Sequence, residues 1–125
     1  MRKPRVLIVE DETIIAWDLR RTIERLGGEV SSVASDADAA VACARADHPD
    51  LILMDITLRG SRTGIDAALD IRGFSAVPLV YLTGNTHLAN DPEILATRAQ
   101  GMYSKPPSLE QLRQMLASAR APEQA

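Results

Sequence analysis

The sequence predicts an α/β fold: a doubly wound (βα)5 sandwich built on a five-stranded parallel sheet. Three observations predict it. Five short apolar segments rich in branched residues recur along the chain, and segments with helical spacing or helix-opening caps lie between and after them. Three of the five, VLIV, LILM and LVYL, are apolar at consecutive rather than alternate positions. Strands that read this way are covered on both faces, and single helices between strands specify parallel neighbours joined by right-handed crossovers.

The elements follow in order. The first strand is read at residues 5–9, RVLIV, and a helix at 13–26. Ile15, Leu19, Ile23 and Leu26 fall on one stripe of that helix, and Gly27-Gly28 ends it where a left-handed cap is wanted. The second strand occupies 30–34, and a small helix over 35–47 places Ala37, Val41 and Ala44 on one face. The third strand, 51–56, is followed by a helix at 65–74, and the fourth strand covers 78–82. Asp91-Pro92 opens the fourth helix with a cap residue before proline. The fifth strand spans 101–104, and Ser108 with Gln111 makes a capping box at the start of the last helix. The usual solution at this length is the flavodoxin-like strand order 2-1-3-4-5. One domain over residues 1–125 is expected, with its core at about 5–119 and a frayed tail at 120–125.

Composition narrows the function classes. The chain has 125 residues, 46% apolar and 25% charged, an ordinary globular balance that supports one core without staples. A lone cysteine, Cys43, cannot bridge within the chain and suits a reducing compartment; it reads as a small core filler. Net charge is −3, so no basic field gathers nucleic-acid phosphates, and no direct nucleic-acid ligand is expected. The apolar run behind the basic N-terminus is too short for a signal sequence, and no segment approaches the length of a membrane span. A soluble, cytoplasmic protein without a membrane partner is the expectation.

In open parallel sheets ligands bind at the carboxyl ends of the strands. Glu10, Asp11 and Glu12 follow the first strand, Asp55 falls at the end of the third, Thr83-Gly84 after the fourth and Lys105-Pro106 after the fifth. Three carboxylates (Glu10, Asp11 and Asp55), a hydroxyl and an ammonium are thus expected at one edge. Carboxylates held close repel one another, and a hard divalent cation keeps them ionised near neutral pH. Mg²⁺ fits such a set best, because two histidines and one cysteine offer little to zinc. An aspartate in this setting is also a nucleophile toward phosphorus, and Lys105 and Thr83 suit the oxygens of a transferring phosphoryl group. Lys105 is one of two lysines in the chain, and a compact ammonium is what close phosphate contact prefers.

VLIVEDE, LILMDI, VYLTG and SKPP, in this order and each at a strand end, closely resemble the receiver domain of bacterial response regulators, over residues 6–119. The resemblance implies that Asp55 accepts phosphate from a histidine kinase or a histidine phosphotransfer protein. It implies a Mg²⁺ held by Asp11, Asp55 and the backbone carbonyl of Thr57, with Glu10 acting through water. Lys105 would pair with a phosphoryl oxygen, Thr83 would move to bond it, and the Lys105-Pro106 peptide would be cis. Kinase docking is implied near Ile14, Ile15 and Trp17, with Trp17 opposite the apolar stripe.

The chain also departs from the pattern. Met102 stands where an aromatic readout residue is common, and Tyr103, one residue on, faces the other side of its strand. Pro107 takes a commonly apolar position, and Gly84 leaves the backbone beside Thr83 permissive. The loop after Asp55 is one residue longer, with Arg59 where proline is frequent, which predicts altered loop mobility and water access. His48 and His87 read as surface or loop residues, and Arg20, Arg21 and Arg25 with Glu24 as a solvated helix face.

The sequence therefore reads as a phospho-accepting signalling switch, self-dephosphorylating slowly and acting through partner binding. Excision from a hybrid kinase or larger regulator is an alternative. An aspartate-based phosphatase is another, although the second acid two residues after Asp55 is missing. A flavodoxin-like nucleotide carrier is disfavoured by three acids where a flavin phosphate wants donors.

Overall fold

Five parallel strands in the order β2-β1-β3-β4-β5 form the sheet. The computed structural model describes residues 2–84 and 90–120. Along the chain run β1 (Arg5–Val9), α1 (Thr13–Arg25), β2 (Glu29–Ala34), α2 (Ala37–Asp47), β3 (Leu51–Asp55), α3 (Gly64–Arg72), β4 (Leu79–Thr83), α4 (Pro92–Ala96), β5 (Gly101–Ser104) and α5 (Leu109–Arg120). The predicted fold class and strand order are those observed. The readings of His87 and of tail residues 121–125 lie outside the described residues.

Strand alternation divides the core into two layers. Leu7, Val9, Ile52, Met54, Leu79 and Tyr81 point to one face and pack under α2, α3 and α4. Val6, Ile8, Leu51, Leu53, Val80 and Leu82 point to the other, under α1 and α5. Both neighbours of every central residue are therefore buried, which explains the consecutive apolar runs. Met102 joins the first layer and Tyr103 the second, as alternation requires.

Helix ends account for the small boundary differences. Residue 35 lies outside α2 because Asp36 is its N-cap, accepting from the Ala39 N–H at 2.8 Å. The predicted third helix gains a residue at its start, where Thr63 and Asp66 form a reciprocal capping box. Ser108 and Gln111 cap α5 reciprocally at 2.8 and 3.0 Å. Gly27 takes φ +96°, the left-handed turn read from the Gly-Gly pair after α1. His48 is exposed and left-handed at the end of α2, and Cys43 packs half-buried against the first layer.

No helix among the described residues is long and apolar enough to cross a membrane.

At the amino ends of the strands, Asp50 accepts from Arg2 Nη1 at 2.6 Å, Arg2 Nη2 at 2.7 Å and the Arg5 N–H at 2.7 Å. Burial works against ionisation there, but these bonds and the two positive charges outweigh it and hold the carboxyl below the usual aspartate range. A depressed acid stabilises above its unfolded pKa, about 3.9, and that contribution fades as pH falls through the lower folded value. Asp50→Asn is accordingly expected to lower stability by about 1–2 kcal/mol at pH 7. Urea unfolding should show the wild-type advantage shrinking below about pH 4; a deficit independent of pH would refute the ionic origin.

Candidate functional site

The sheet delivers the predicted residues to one edge. Glu10 extends β1, its N–H bonded to the Ala34 carbonyl at 2.9 Å, and is buried. Asp55 and Thr83 are the last residues of β3 and β4, and both are buried. Lys105 follows β5; its N–H meets the Thr83 carbonyl at 3.1 Å, and the bond to Pro106 is cis.

Side chains complete the cluster. Lys105 Nζ lies 3.1 Å from Glu10 Oε1 and 3.1 Å from Asp55 Oδ2. Glu10, Asp11 and Asp55 each offer an oxygen within 4.8 Å of the others. Asp11 is half-buried, whereas Glu12 is exposed, outside this trio, at the N-cap of α1. Glu10 Oε2 accepts from the Glu12 N–H at 3.1 Å, and Asp55 Oδ1 from the Thr57 N–H at 3.3 Å.

The electrostatics are those of an acid pocket with one resident cation. Burial, helped by the neighbouring Asp55 charge, holds the Glu10 carboxyl above the usual glutamate range against the bonds to Glu12 and Lys105 and the Lys105 charge. Burial alone would lower the Lys105 ammonium, but the bonds to Asp55 and Glu10 and their charges outweigh it and hold it above the usual lysine range. Three acids against one ammonium leave formal charge −2 when all are ionised. The donors are all oxygens, so the residues fit a hard divalent cation such as Mg²⁺.

Residues 6–117 match the family described as the response regulator receiver domain.

The chain belongs to that family.

The transcriptional regulatory protein PdtaR of Mycobacterium tuberculosis is 42% identical over 79 residues, covering 63% of this chain and 38% of PdtaR. The phyllosphere-induced regulator PhyR of Methylorubrum extorquens is 40% identical over 79 residues, covering 62% of this chain and 30% of PhyR. This receiver domain thus spans well under half the length of these two relatives. Among solved structures, the N-terminal domain of a response regulator/sensory box/GGDEF three-domain protein from Carboxydothermus hydrogenoformans superposes with TM-score 0.82 at 33% identity, covering 92% of each chain. The signal receiver domain of the putative response regulator NarL from M. tuberculosis, 21% identical, shares the fold with TM-score 0.85, covering 97% of this chain and 99% of that one. Receiver domains of this kind belong to two-component signalling and carry an acidic Mg²⁺ pocket.

Two features of the receiver's rim go beyond the strand-end reading. Ile14 and Trp17 are exposed as predicted, and with Ile15, Leu82, Lys105 and Pro106 they line an apolar cavity of about 530 Å³ beside the acid pocket. Arg20, Arg21, Glu24 and Arg25 are all exposed, the solvated face read from the sequence; within it Arg21 stacks over the Trp17 ring at 4.8 Å and Arg20 pairs with Glu24 at 3.3 Å. Arg59 Nη2 donates to the Asp11 carbonyl at 3.1 Å. That contact spans 48 positions of the chain, and the only hint in the sequence was an arginine in the loop after Asp55.

Proposed function

We propose that this receiver domain accepts a phosphoryl group on Asp55 from the phosphohistidine of a kinase or histidine phosphotransfer protein. The observation that carries the reading is Lys105 Nζ held between Asp55 and Glu10 inside the acid cluster. In the transfer, an Asp55 carboxylate oxygen attacks phosphorus, the histidine nitrogen–phosphorus bond breaks, and the freed imidazole takes up a proton. Lys105, already beside Asp55 Oδ2, neutralises a phosphoryl oxygen as charge spreads onto it. Thr83, ending β4, supplies a hydroxyl for a second oxygen. Slow reversal to the resting state follows when water attacks phosphorus and inorganic phosphate leaves, restoring the Asp55 carboxylate.

Asp11, Asp55 and the Thr57 carbonyl would hold Mg²⁺, with Glu10 supporting it through water. When bound, Mg²⁺ supplies positive charge for the phosphoryl oxygens and screens the acids from one another. The apolar cavity around Ile14, Ile15 and Trp17 adjoins Lys105, which suits it to seat the donor protein next to the acceptor. The domain acts by binding a partner in its phosphorylated form, whether it stands alone over residues 5–119 or serves within a longer regulator or hybrid kinase. Cytoplasmic location accords with a phosphohistidine donor and a reducing compartment for Cys43.

The test is intact-mass spectrometry after incubation with acetyl phosphate. One phosphoryl adduct per chain is expected with Mg²⁺ and none with excess EDTA. An adduct indifferent to EDTA would remove the metal from the reading, and no adduct under either condition, from acetyl phosphate or a panel of phosphorylated kinases, would end it.

A further inference from the structure

The loop between β3 and α3 is tied down along its length. Its ends are joined by the Gly64 N–H to the Ile56 carbonyl at 2.7 Å, and Leu58 is buried beneath it. Arg59 itself forms an isolated parallel bridge with Asp36. Gly60 turns the chain at φ +89°, and Arg62 then clamps Asp38 at 2.6 Å and Asp70. A loop anchored at base, middle and far side presents the Arg59 side chain in a fixed direction. The guanidinium reaches the Asp11 carbonyl and lines, with Glu10, Asp11, Trp17 and Arg20, a cavity of about 360 Å³. Its partner is a neutral carbonyl, so the bond fixes the guanidinium without cancelling its charge.

We infer that Arg59 sets the charge at the mouth of the acid pocket, opposing the divalent cation and favouring the anionic phosphoryl donor; the second half rests on the phospho-acceptor reading of Asp55. Glu10, Asp11 and Asp55 with Lys105 carry −2, which one Mg²⁺ brings to zero. Arg59 adds one further positive charge at the rim, where Arg20 is already paired with Glu24. A fixed positive charge there weakens cation binding and attracts the oxygens of a phosphoryl group. Because Arg59 is exposed, water and salt screen both effects.

Trp17, the single tryptophan, follows urea unfolding across a range of Mg²⁺ concentrations, and the rise in midpoint over the metal-free value gives the Mg²⁺ affinity without any phosphoryl chemistry. In Arg59→Ala at low salt, Mg²⁺ is expected to bind about threefold more tightly, while adduct formation from acetyl phosphate at saturating Mg²⁺ slows about threefold. Arg59→Lys, which keeps the charge, should restore both. Unchanged Mg²⁺ affinity in Arg59→Ala, or equal tightening in Arg59→Lys, would overturn the inference, since a purely structural strap predicts one of these. A wild-type protein that forms no adduct overturns the phospho-acceptor reading, and the Mg²⁺ measurement still decides whether Arg59 sets the pocket's charge.

Discussion

Asp55→Asn is expected to leave no detectable phosphoryl adduct with acetyl phosphate and Mg²⁺ while the protein remains folded. An amide oxygen is a far poorer nucleophile toward phosphorus, and its adduct would have no acyl-phosphate equivalent. The substitution is nearly isosteric, and Lys105 keeps Glu10 Oε1 at 3.1 Å after losing Asp55. One of three carboxylates whose oxygens lie within 4.8 Å of one another is neutralised. Without Mg²⁺, stability should therefore be unchanged or rise by about 1 kcal/mol, because like charges in a buried site repel. Intact mass and urea unfolding on one preparation read both effects. An adduct surviving in Asp55→Asn would move the acceptor elsewhere; a large loss of stability would mean the Lys105–Asp55 pair outweighs the repulsion.

Gly64→Ala is expected to cost roughly 3 kcal/mol or more, among the largest losses available to a single methyl group here. A Cβ built on Gly64 would sit 2.0 Å from the Asp55 carbonyl oxygen and 3.0 Å from its carbonyl carbon. Neither atom belongs to a flexible side chain, so α3 would have to withdraw from the end of β3. Withdrawal would break the Gly64 N–H bond to the Ile56 carbonyl and displace the backbone that carries the acceptor. Phosphorylation should fall with stability. Gly84→Ala is the control: a Cβ there meets nothing within 4 Å, and stability should stay within about 0.5 kcal/mol. Equal, small effects at the two glycines would refute the close approach of α3 to Asp55.

The fold was legible because its signals are local and mutually consistent. Runs such as LILM admit few arrangements other than a strand covered on both faces, and the Gly-Gly pair after α1 and the Ser108–Gln111 box mark helix ends by backbone chemistry alone. The site was legible for a related reason. In a parallel sheet every strand ends on the same edge, so strand polarity alone brings the strand-end residues Glu10, Asp55, Thr83 and Lys105 together.

Other features gave weaker signs. The capping box of Thr63 and Asp66 was written in the sequence but fell just before the predicted helix start. Gly64 carries no residue-level mark of its role, because the clash it avoids involves a backbone oxygen nine positions away. The arginines of α1 look alike in sequence, yet one stacks on Trp17 and another pairs with Glu24.

By itself the sequence determined which residues enter the sheet, in what order, and which side chains meet at its carboxyl edge, because hydrophobic period and strand polarity act over a few residues. Tertiary structure alone decided how Lys105 divides itself between Glu10 and Asp55, how closely α3 approaches the acceptor, and that Arg59 crosses to Asp11. Those outcomes depend on distances between segments about 9 to 95 positions apart in the chain. Such distances follow from the packing of both core layers at once and not from any local pattern.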